Sequence, residues 1–387
     1  MFNNFTLQNP VKVIFGKGSI AQLPKNIPAN AKVMLTYGGG SIFSNGVHEQ
    51  VINALTGYDV IEFGGIEANP TFETLMAAVE VARKEHVTFL LAVGGGSVLD
   101  GTKFMSVAIP FEGGDEWNNI VKRKAKYGEA LPIGAVMTLP ATGSEMNSIA
   151  VISKKETDEK FGMGHPLLYP QFSILDPETT YSLPKRQVAN GVADAFTHVM
   201  EQYLTYPVGA EIQDRFAEGI LQTLISVGQK TIANPEDYEA RANLFWAATV
   251  ALNGWISVGV PQDWATHQIG HELTALHGID HARSLAIILP HLMRYKLEDK
   301  KEKMIQYALR VWELSGTDEE LVEGAIQRTI DFYESLGIPT SGKAYGIGDA
   351  TINEIVKRFE ERGSAFGEHG DIDAKAASDI LKMSIAE

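Results

Sequence analysis

The chain has 387 residues, 44% of them hydrophobic, which is long for one compact core and comfortable for two domains. Its 33 basic and 48 acidic residues leave a net charge of −15, which repels phosphate backbones and anionic lipid and argues against nucleic-acid or membrane-surface binding. There is no cysteine, so disulfides and thiolate metal sites are excluded and a reducing interior compartment suits the chain.

Met1 to Pro10 has neither a basic n-region nor an apolar h-region, so no signal peptide is expected. Apolar runs such as Ser284–Pro290 are far too short to span a bilayer, and the expectation is a cytoplasmic protein. Up to about residue 180, short apolar runs close on turn residues. Val11–Phe15 ends in Gly16-Lys17-Gly18, Val33–Thr36 in Gly38-Gly39-Gly40, and Val60–Phe63 in Gly64-Gly65. Phe89–Val93 ends in Gly94-Gly95-Gly96, and Ile133–Leu139 in Pro140 and Thr142-Gly143. Helix-period stretches such as Thr71–Glu85 lie between them. This alternation predicts a mainly parallel sheet flanked by helices, with ligands at the carboxyl ends of the strands, where the glycines are.

After Asp176-Pro177 helical periods take over: Arg186–Tyr203, Glu211–Ala233, Tyr238–Ala251, Asp263–His277, Lys300–Leu314, Asp318–Leu336, Ala350–Glu361 and Ala374–Ala386. The expectation is an α/β domain over residues 1–181 and an all-α domain over residues 182–387.

Several features point to a dinucleotide. A strand followed by Gly94–Ser97 presents bare backbone N–H groups at a helix start, which suits a pyrophosphate. The usual Gly-x-Gly-x-x-Gly fingerprint is absent, because Phe43 and Leu99 stand at its final position in the two candidate loops. Gly337–Lys343 imitates the start of a P-loop but follows a helix and has Ala344 where a hydroxyl is needed. The second strand ends in Tyr37-Gly38-Gly39-Gly40-Ser41, with no carboxylate for the adenosine ribose; this favours NADP over NAD.

Five of the ten histidines fall between His267 and His291. Asp194 and His198 are four residues apart, as are His267 and His271, so each pair lies on one helix face. His281 follows after Gly278-Ile279-Asp280. Asp194, His198, His267 and His281 could offer three imidazoles and one carboxylate to one divalent metal, a set suited to zinc or iron rather than magnesium or calcium. Apolar neighbours such as Val192, Phe196 and Ile269 imply burial, and buried ionisable groups need partners. The zinc-protease pattern His-Glu-x-x-His is missed, since Gln268 follows His267.

Taken together, Phe15–Gly18, Gly94–Asp100 with Lys103, Pro140–Glu145, and the spacing of Asp194, His198, His267 and His281 resemble the iron-containing (group III) alcohol dehydrogenases over essentially the whole chain. Tyr37–Ser41, Phe63–Glu67 and Pro261–His267 are most similar to the NADPH-dependent aldehyde reductase and butanol dehydrogenase branch. The resemblance implies a dehydroquinate synthase-like architecture, one zinc or iron ion, NADP(H) and a homodimer. It implies that Asp194, His198, His267 and His281 hold the metal. Gly38, Gly39, Gly40 and Ser41 would lie by the adenosine ribose and its 2′-phosphate, and Gly95, Gly96 and Ser97 by the pyrophosphate. Asp100 would lie near the nicotinamide, with Thr138, Thr142, Ser144 and Lys160 lining the cofactor. Two departures bear on the substrate: Asp280-His281-Ala282 replaces the Pro-His-Gly of many members, and Leu139–Glu145 shortens the family's Pro-Thr-x-x-Gly-Thr-Gly-Ser-Glu.

The implied reaction is hydride transfer between NADPH and the carbonyl carbon of a small aldehyde, reversible towards a primary alcohol, with the metal polarising the carbonyl. His271 and Asp100 are the catalytic candidates, His271 as a proton relay or as a hydrogen-bonding support for the metal ligands. Met146, Asn147 and Trp264 are pocket candidates by chain position. The competing readings are an NAD- and metal-dependent lyase of the dehydroquinate synthase type and a metal-dependent hydrolase.

Overall fold

The computed structural model describes residues 2–386. Its contacts divide the chain into two compact units, one comprising Gln8–Leu183 with Pro235–Thr249 and the other the rest.

The first unit is built on β1 (Lys12–Phe15), β2 (Lys32–Tyr37), β3 (Asp59–Phe63), β4 (Phe89–Gly94), β5 (Ile133–Met137), β6 (Ile149–Lys154), β7 (Glu159–Gly164) and β8 (Phe172–Leu175). Six of them form one sheet in the order β1-β8-β5-β4-β2-β3, and every pairing in it is parallel. An inner strand such as β4 is apolar on both faces because helices cover both sides of a parallel sheet. Its Leu90 and Ala92 face one core, and Phe89, Leu91 and Val93 the other. The helices of this half are α1 (Ser41–Ser44), α2 (Val47–Ala54), α3 (Phe72–Lys84) and α4 (Gly96–Ala108). Helices α3 and α4 pack on the first face, and α2 with the short 3-10 turn Ser19–Lys25 on the second.

The strands β6, β7 and β8 are invisible in the apolar-run pattern. β8 has only four residues, and β6 and β7 form a separate antiparallel hairpin with mixed burial.

Among the described residues nine further helices follow: α5 (Lys185–Tyr203), α6 (Glu211–Ala233), α7 (Tyr238–Val250), α8 (Ala265–His277), α9 (His281–Tyr295), α10 (Leu297–Arg310), α11 (Asp318–Ser335), α12 (Asp349–Arg362) and α13 (Ala374–Ala386). Helix α7 belongs to the sheet unit up to Thr249. Phe245 enters the α3–α4 core, and Thr249 Oγ1 donates to the buried Glu145 carboxylate at 2.5 Å. The periodic pattern cannot tell which core a helix joins.

Helix α9 is the element the sequence pattern misses, and it packs against α5, α8, α11 and α13. Ser284 to Met293 are all buried, so the segment reads as a short apolar run rather than as a helix with a solvent face. Pro290 inside it also reads as a break. Among the described residues no helix is long and apolar enough to cross a membrane.

Lys300 on α10 fastens three parts of the helical unit. It has no solvent exposure, and its Nζ lies 2.9 Å from Asp263 Oδ2, 2.6 Å from Glu368 Oε1 and 2.8 Å from the Leu204 carbonyl. Removing one partner of a buried ion pair strands the others without compensation, at a cost of about 3–5 kcal/mol. Lys300→Met is therefore expected to lower unfolding stability by about that amount in urea titrations followed by circular dichroism. A loss below about 1 kcal/mol would show that the cluster contributes as little as a surface pair.

Candidate active site and metal centre

Three helices of the helical unit supply the metal candidates. Helix α5 carries Asp194 and His198, α8 carries His267 and His271, and His281 is the first residue of α9. The start of α9 is tied to α5 by Asp280, whose Oδ2 accepts from Arg186 Nε and Asn190 Nδ2, both at 2.7 Å. Burial pushes the Asp280 carboxyl up, but those donors outweigh it and hold it below its ordinary value. The start of α8 is fixed by Asp263, whose Oδ1 accepts from Ala265 N at 3.0 Å. Trp264 takes a left-handed conformation there, φ 65°, and turns the chain into the helix.

Asp194, His267 and His281 offer ligand atoms that all lie within 4.8 Å of one another. Both His198 Nε2 and His281 Nε2 stand 3.7 Å from Asp194 Oδ1. The His198 ring stacks on His267 at 4.9 Å and 15°. The four predicted ligands thus converge. Asp194 Oδ1 is buried and accepts no hydrogen bond. An ionised carboxylate oxygen buried without a donor is costly unless a cation compensates it. One carboxylate and three imidazoles, converging on such an oxygen, fit a zinc or ferrous ion.

His271 is buried, with its ring 5.2 Å from His281 and 6.3 Å from His267. The Trp264 ring stands edge-on to His267 at 5.2 Å, with Nε1 donating to Gln262 Oε1 at 2.8 Å. Glu201 was not among the predicted residues. It lies three residues after His198 on the same face of α5; Oε1 accepts from Thr266 N at 2.6 Å, and Oε2 meets His267 Nδ1. Burial pushes the Glu201 carboxyl up, the Asp263 carboxylate adds to this, and the Thr266 amide opposes it. Its spacing was the available signal, since Asp194, His198 and Glu201 stand at i, i+4 and i+7.

Most of the predicted cofactor residues follow the carboxyl ends of β2, β4 and β5, while Asp100 lies within α4 and Lys160 on β7. Gly38 and Gly39 form the turn after β2, and Gly40 leads into Ser41 at the start of α1 with φ 96°, a conformation that favours glycine. Gly95 caps α4, and Gly96 and Ser97 are its first residues. A Cβ at Gly96 would lie 2.4 Å from Thr142 Oγ1 and 2.5 Å from Thr142 Cγ2, so only glycine lets these loops approach. Thr138 N donates to the Gly94 carbonyl at 2.9 Å, which keeps the ends of β4 and β5 adjacent. Asn69, also unpredicted, joins two predicted residues: its N–H donates to Ser97 Oγ at 3.3 Å and its Oδ1 accepts from Lys160 Nζ at 2.9 Å.

Asp100 has both oxygens engaged. Oδ1 accepts from Ser144 Oγ at 2.6 Å and Oδ2 from Val151 N at 2.9 Å. Burial pushes its carboxyl up against the pull of Lys103. This arrangement lets Asp100 organise the Ser144 loop. Lys103 does the same from below, donating to the carbonyls of Ser144, Asn147 and Ile149 at 2.7, 2.9 and 2.8 Å, with burial lowering its pKa to about 8. Asn147, a pocket candidate, is tied into this loop through Lys103 and the Gly143 carbonyl, and Met146 is buried beside it.

The iron-containing alcohol dehydrogenase domain matches residues 10–177, and the C-terminal domain of that family residues 188–384. The NADPH-dependent aldehyde reductase YqhD of Escherichia coli is 54% identical over 373 residues, 96% of each chain. NADH-dependent butanol dehydrogenase A of Clostridium acetobutylicum is 38% identical, covering 98% of this chain and 99% of its own. The crystal structure of E. coli YqhD superposes with a TM-score of 0.97 at 52% identity and 99% coverage of both chains. The Thermotoga maritima NADH-dependent butanol dehydrogenase A structure gives 0.95 at 37% identity, again with 99% coverage of both. The chain belongs to the iron-containing alcohol dehydrogenase family.

Proposed function

We propose that this protein is a metal-dependent, NADP(H)-using aldehyde reductase that converts small aldehydes to primary alcohols and runs in reverse as an alcohol dehydrogenase. The observation that carries the reading is the buried, donor-free Asp194 oxygen surrounded by imidazoles. Asp194, His198, His267 and His281 would hold the metal, which when bound supplies Lewis-acid polarisation of a carbonyl oxygen. NADPH supplies the hydride.

The protein's own groups do the rest. Backbone N–H groups at Gly95, Gly96 and Ser97 face a helix start, where the macrodipole favours a pyrophosphate. Asp100, Thr138, Thr142, Ser144 and Lys160 shape the loops that line the cofactor, with Asp100 holding Ser144 rather than abstracting a proton. The Gly38–Ser41 turn has no acid of its own, and Glu62 on the adjoining strand is engaged by His48 Nε2 at 3.0 Å. A 2′-phosphate there meets no carboxylate in the turn, which supports NADP over NAD. His271 would pass a proton between the reacting oxygen and solvent, and the Trp264 ring would limit the space for the aldehyde's chain. The resemblance extends the proposal to a homodimer, and the cysteine-free composition to the cytoplasm.

The direct test is loss of NADPH absorbance with butanal, compared with NADH, before and after chelation and after zinc or iron is restored. Activity that vanishes on chelation and returns with metal is expected, with NADPH the faster cofactor. Faster turnover with NADH would overturn the reading of the Gly38–Ser41 turn alone. No turnover in metal-replete protein with any aldehyde would favour the lyase or the hydrolase.

Two substitutions separate the parts. His267→Ala should abolish stoichiometric metal in atomic absorption while circular dichroism stays that of the native protein; a fully loaded, active variant sinks the ligand assignment. Gly96→Ala forces Thr142 away and should raise the NADPH dissociation constant at least about tenfold while leaving metal content unchanged. Unaltered NADPH affinity would remove the pyrophosphate from this loop.

A further inference from the structure

Glu201 is 2% exposed and sits on α5, the helix that carries Asp194 and His198. Its two carboxylate oxygens have different neighbours. Oε1 takes the backbone N–H of Thr266 at 2.6 Å, and Oε2 meets Nδ1 of His267. The Glu201 carbonyl also accepts from Asp263 N at 2.9 Å, and Lys300 grips Asp263 from the other side at 2.9 Å. The first turn of α8 is therefore held against α5 at three successive points, and the His267 ring has its orientation set at Nδ1.

A neutral imidazole carries one proton, on either ring nitrogen, and the hydrogen bond made by one nitrogen decides what the other can do. We propose that Glu201 is a positioning residue that fixes the His267 tautomer: it keeps the proton on Nδ1 and so presents the Nε2 lone pair to the metal. The inference rests on the metal reading given above. With the metal on Nε2 the neutral ring carries its proton on Nδ1, and Oε2, the carboxylate oxygen not taken by the Thr266 N–H, is the group that proton meets. A merely structural Glu201 would cap α8 just as well, and a substitution that preserves the cap separates the two roles.

Glu201→Gln is that substitution. The amide oxygen still accepts from Thr266 N, while the amide NH₂ presents a donor to Nδ1. The ring responds by accepting at Nδ1 and carrying its proton on Nε2, the atom the metal requires. Zinc affinity, measured on apoprotein by competition with a chromophoric chelator, is expected to fall about 10- to 100-fold, the usual effect of losing such a partner. Thermal unfolding of the apoprotein should stay within a few degrees of wild type. Glu201→Asp, which keeps an acceptor, should recover most of the affinity.

Wild-type zinc affinity in Glu201→Gln overturns the inference. So does an equal loss in Glu201→Asp and Glu201→Gln, because the acceptor would then not be what matters. Histidine ¹⁵N resonances of the zinc-loaded wild type give a reading free of any folding defect: a protonated Nδ1 on His267 is expected, and a proton on Nε2 refutes the assignment. Failure of the wild type itself to bind zinc or iron would instead remove the metal reading on which the inference stands.

Discussion

A carboxylate oxygen cannot be left dry without something positive nearby, and the helical unit is arranged around one. Asp194 Oδ1 has no donor, is buried on α5, and has Nε2 atoms of two histidines at 3.7 Å. Leaving this oxygen uncompensated would cost several kcal/mol, a large part of a typical domain's net stability. The helices that bring the imidazoles to it are therefore under strict positional demand. Asp280 pins α9 to α5, Asp263 and Lys300 pin the start of α8, and Arg358 with Arg362 on α12 hold Glu272 further along α8. These polar ties lie at or near helix ends, where a small rotation would carry a ligand out of reach.

The sheet unit solves a related problem with a buried cation. Lys103 has no solvent exposure, yet its ammonium satisfies three backbone carbonyls of residues 144–149 and the Asn147 side chain. A loop of irregular backbone packed indoors leaves carbonyls without partners, and one lysine supplies donors to several at once. Lys300 plays the equivalent part in the helical unit, where it reaches the Leu204 carbonyl and two carboxylates. Neither lysine is needed as a reacting group to account for its burial. Each is explained by what would otherwise go unbonded.

The glycine-terminated runs disclosed β1 to β5 because each is short, apolar and closed by a turn that needs glycine or proline. The amphipathic helices α5, α6 and α11 were legible within a residue or so, α11 with its Thr317–Glu320 capping box. What escaped was what burial hides. Helix α9 is buried from Ser284 to Met293 and interrupted by Pro290, so it reads as a short apolar run, and the four residues of β8 are too few to register. The i, i+4 spacings of Asp194/His198 and His267/His271 were readable, as was the nearness of His281 to the second pair. Glu201 continues the Asp194/His198 face at i+7 and so carries a signal, whereas Asn69 is a single amide with no spacing of its own until its partners are known. Asp100 was legible as part of the glycine loop, but only the Ser144 and Val151 contacts show that its oxygens are occupied.

At Gly96 a Cβ would strike Thr142, whereas one at Gly39 would meet nothing within 4 Å. The β4–α4 turn is therefore constrained by packing at Gly96, and the Gly38–Ser41 turn by its conformation at Gly40 and by Gly38, where a Cβ would lie 3.2 Å from the Ile66 carbonyl. Pyrophosphate geometry is common to NAD and NADP, so a rigid β4–α4 turn serves either. Around the Gly38–Ser41 turn Phe43 stands half exposed against Tyr37 and His48, and Glu62 meets His48 Nε2 at 3.0 Å. Similar proteins named for NADPH and for NADH occur at comparable coverage. The fold is shared between them, so a difference in cofactor is carried by side chains rather than by the fold. In this chain the turn itself contributes no charge, and Glu62, the carboxylate on the adjoining strand, is paired with His48.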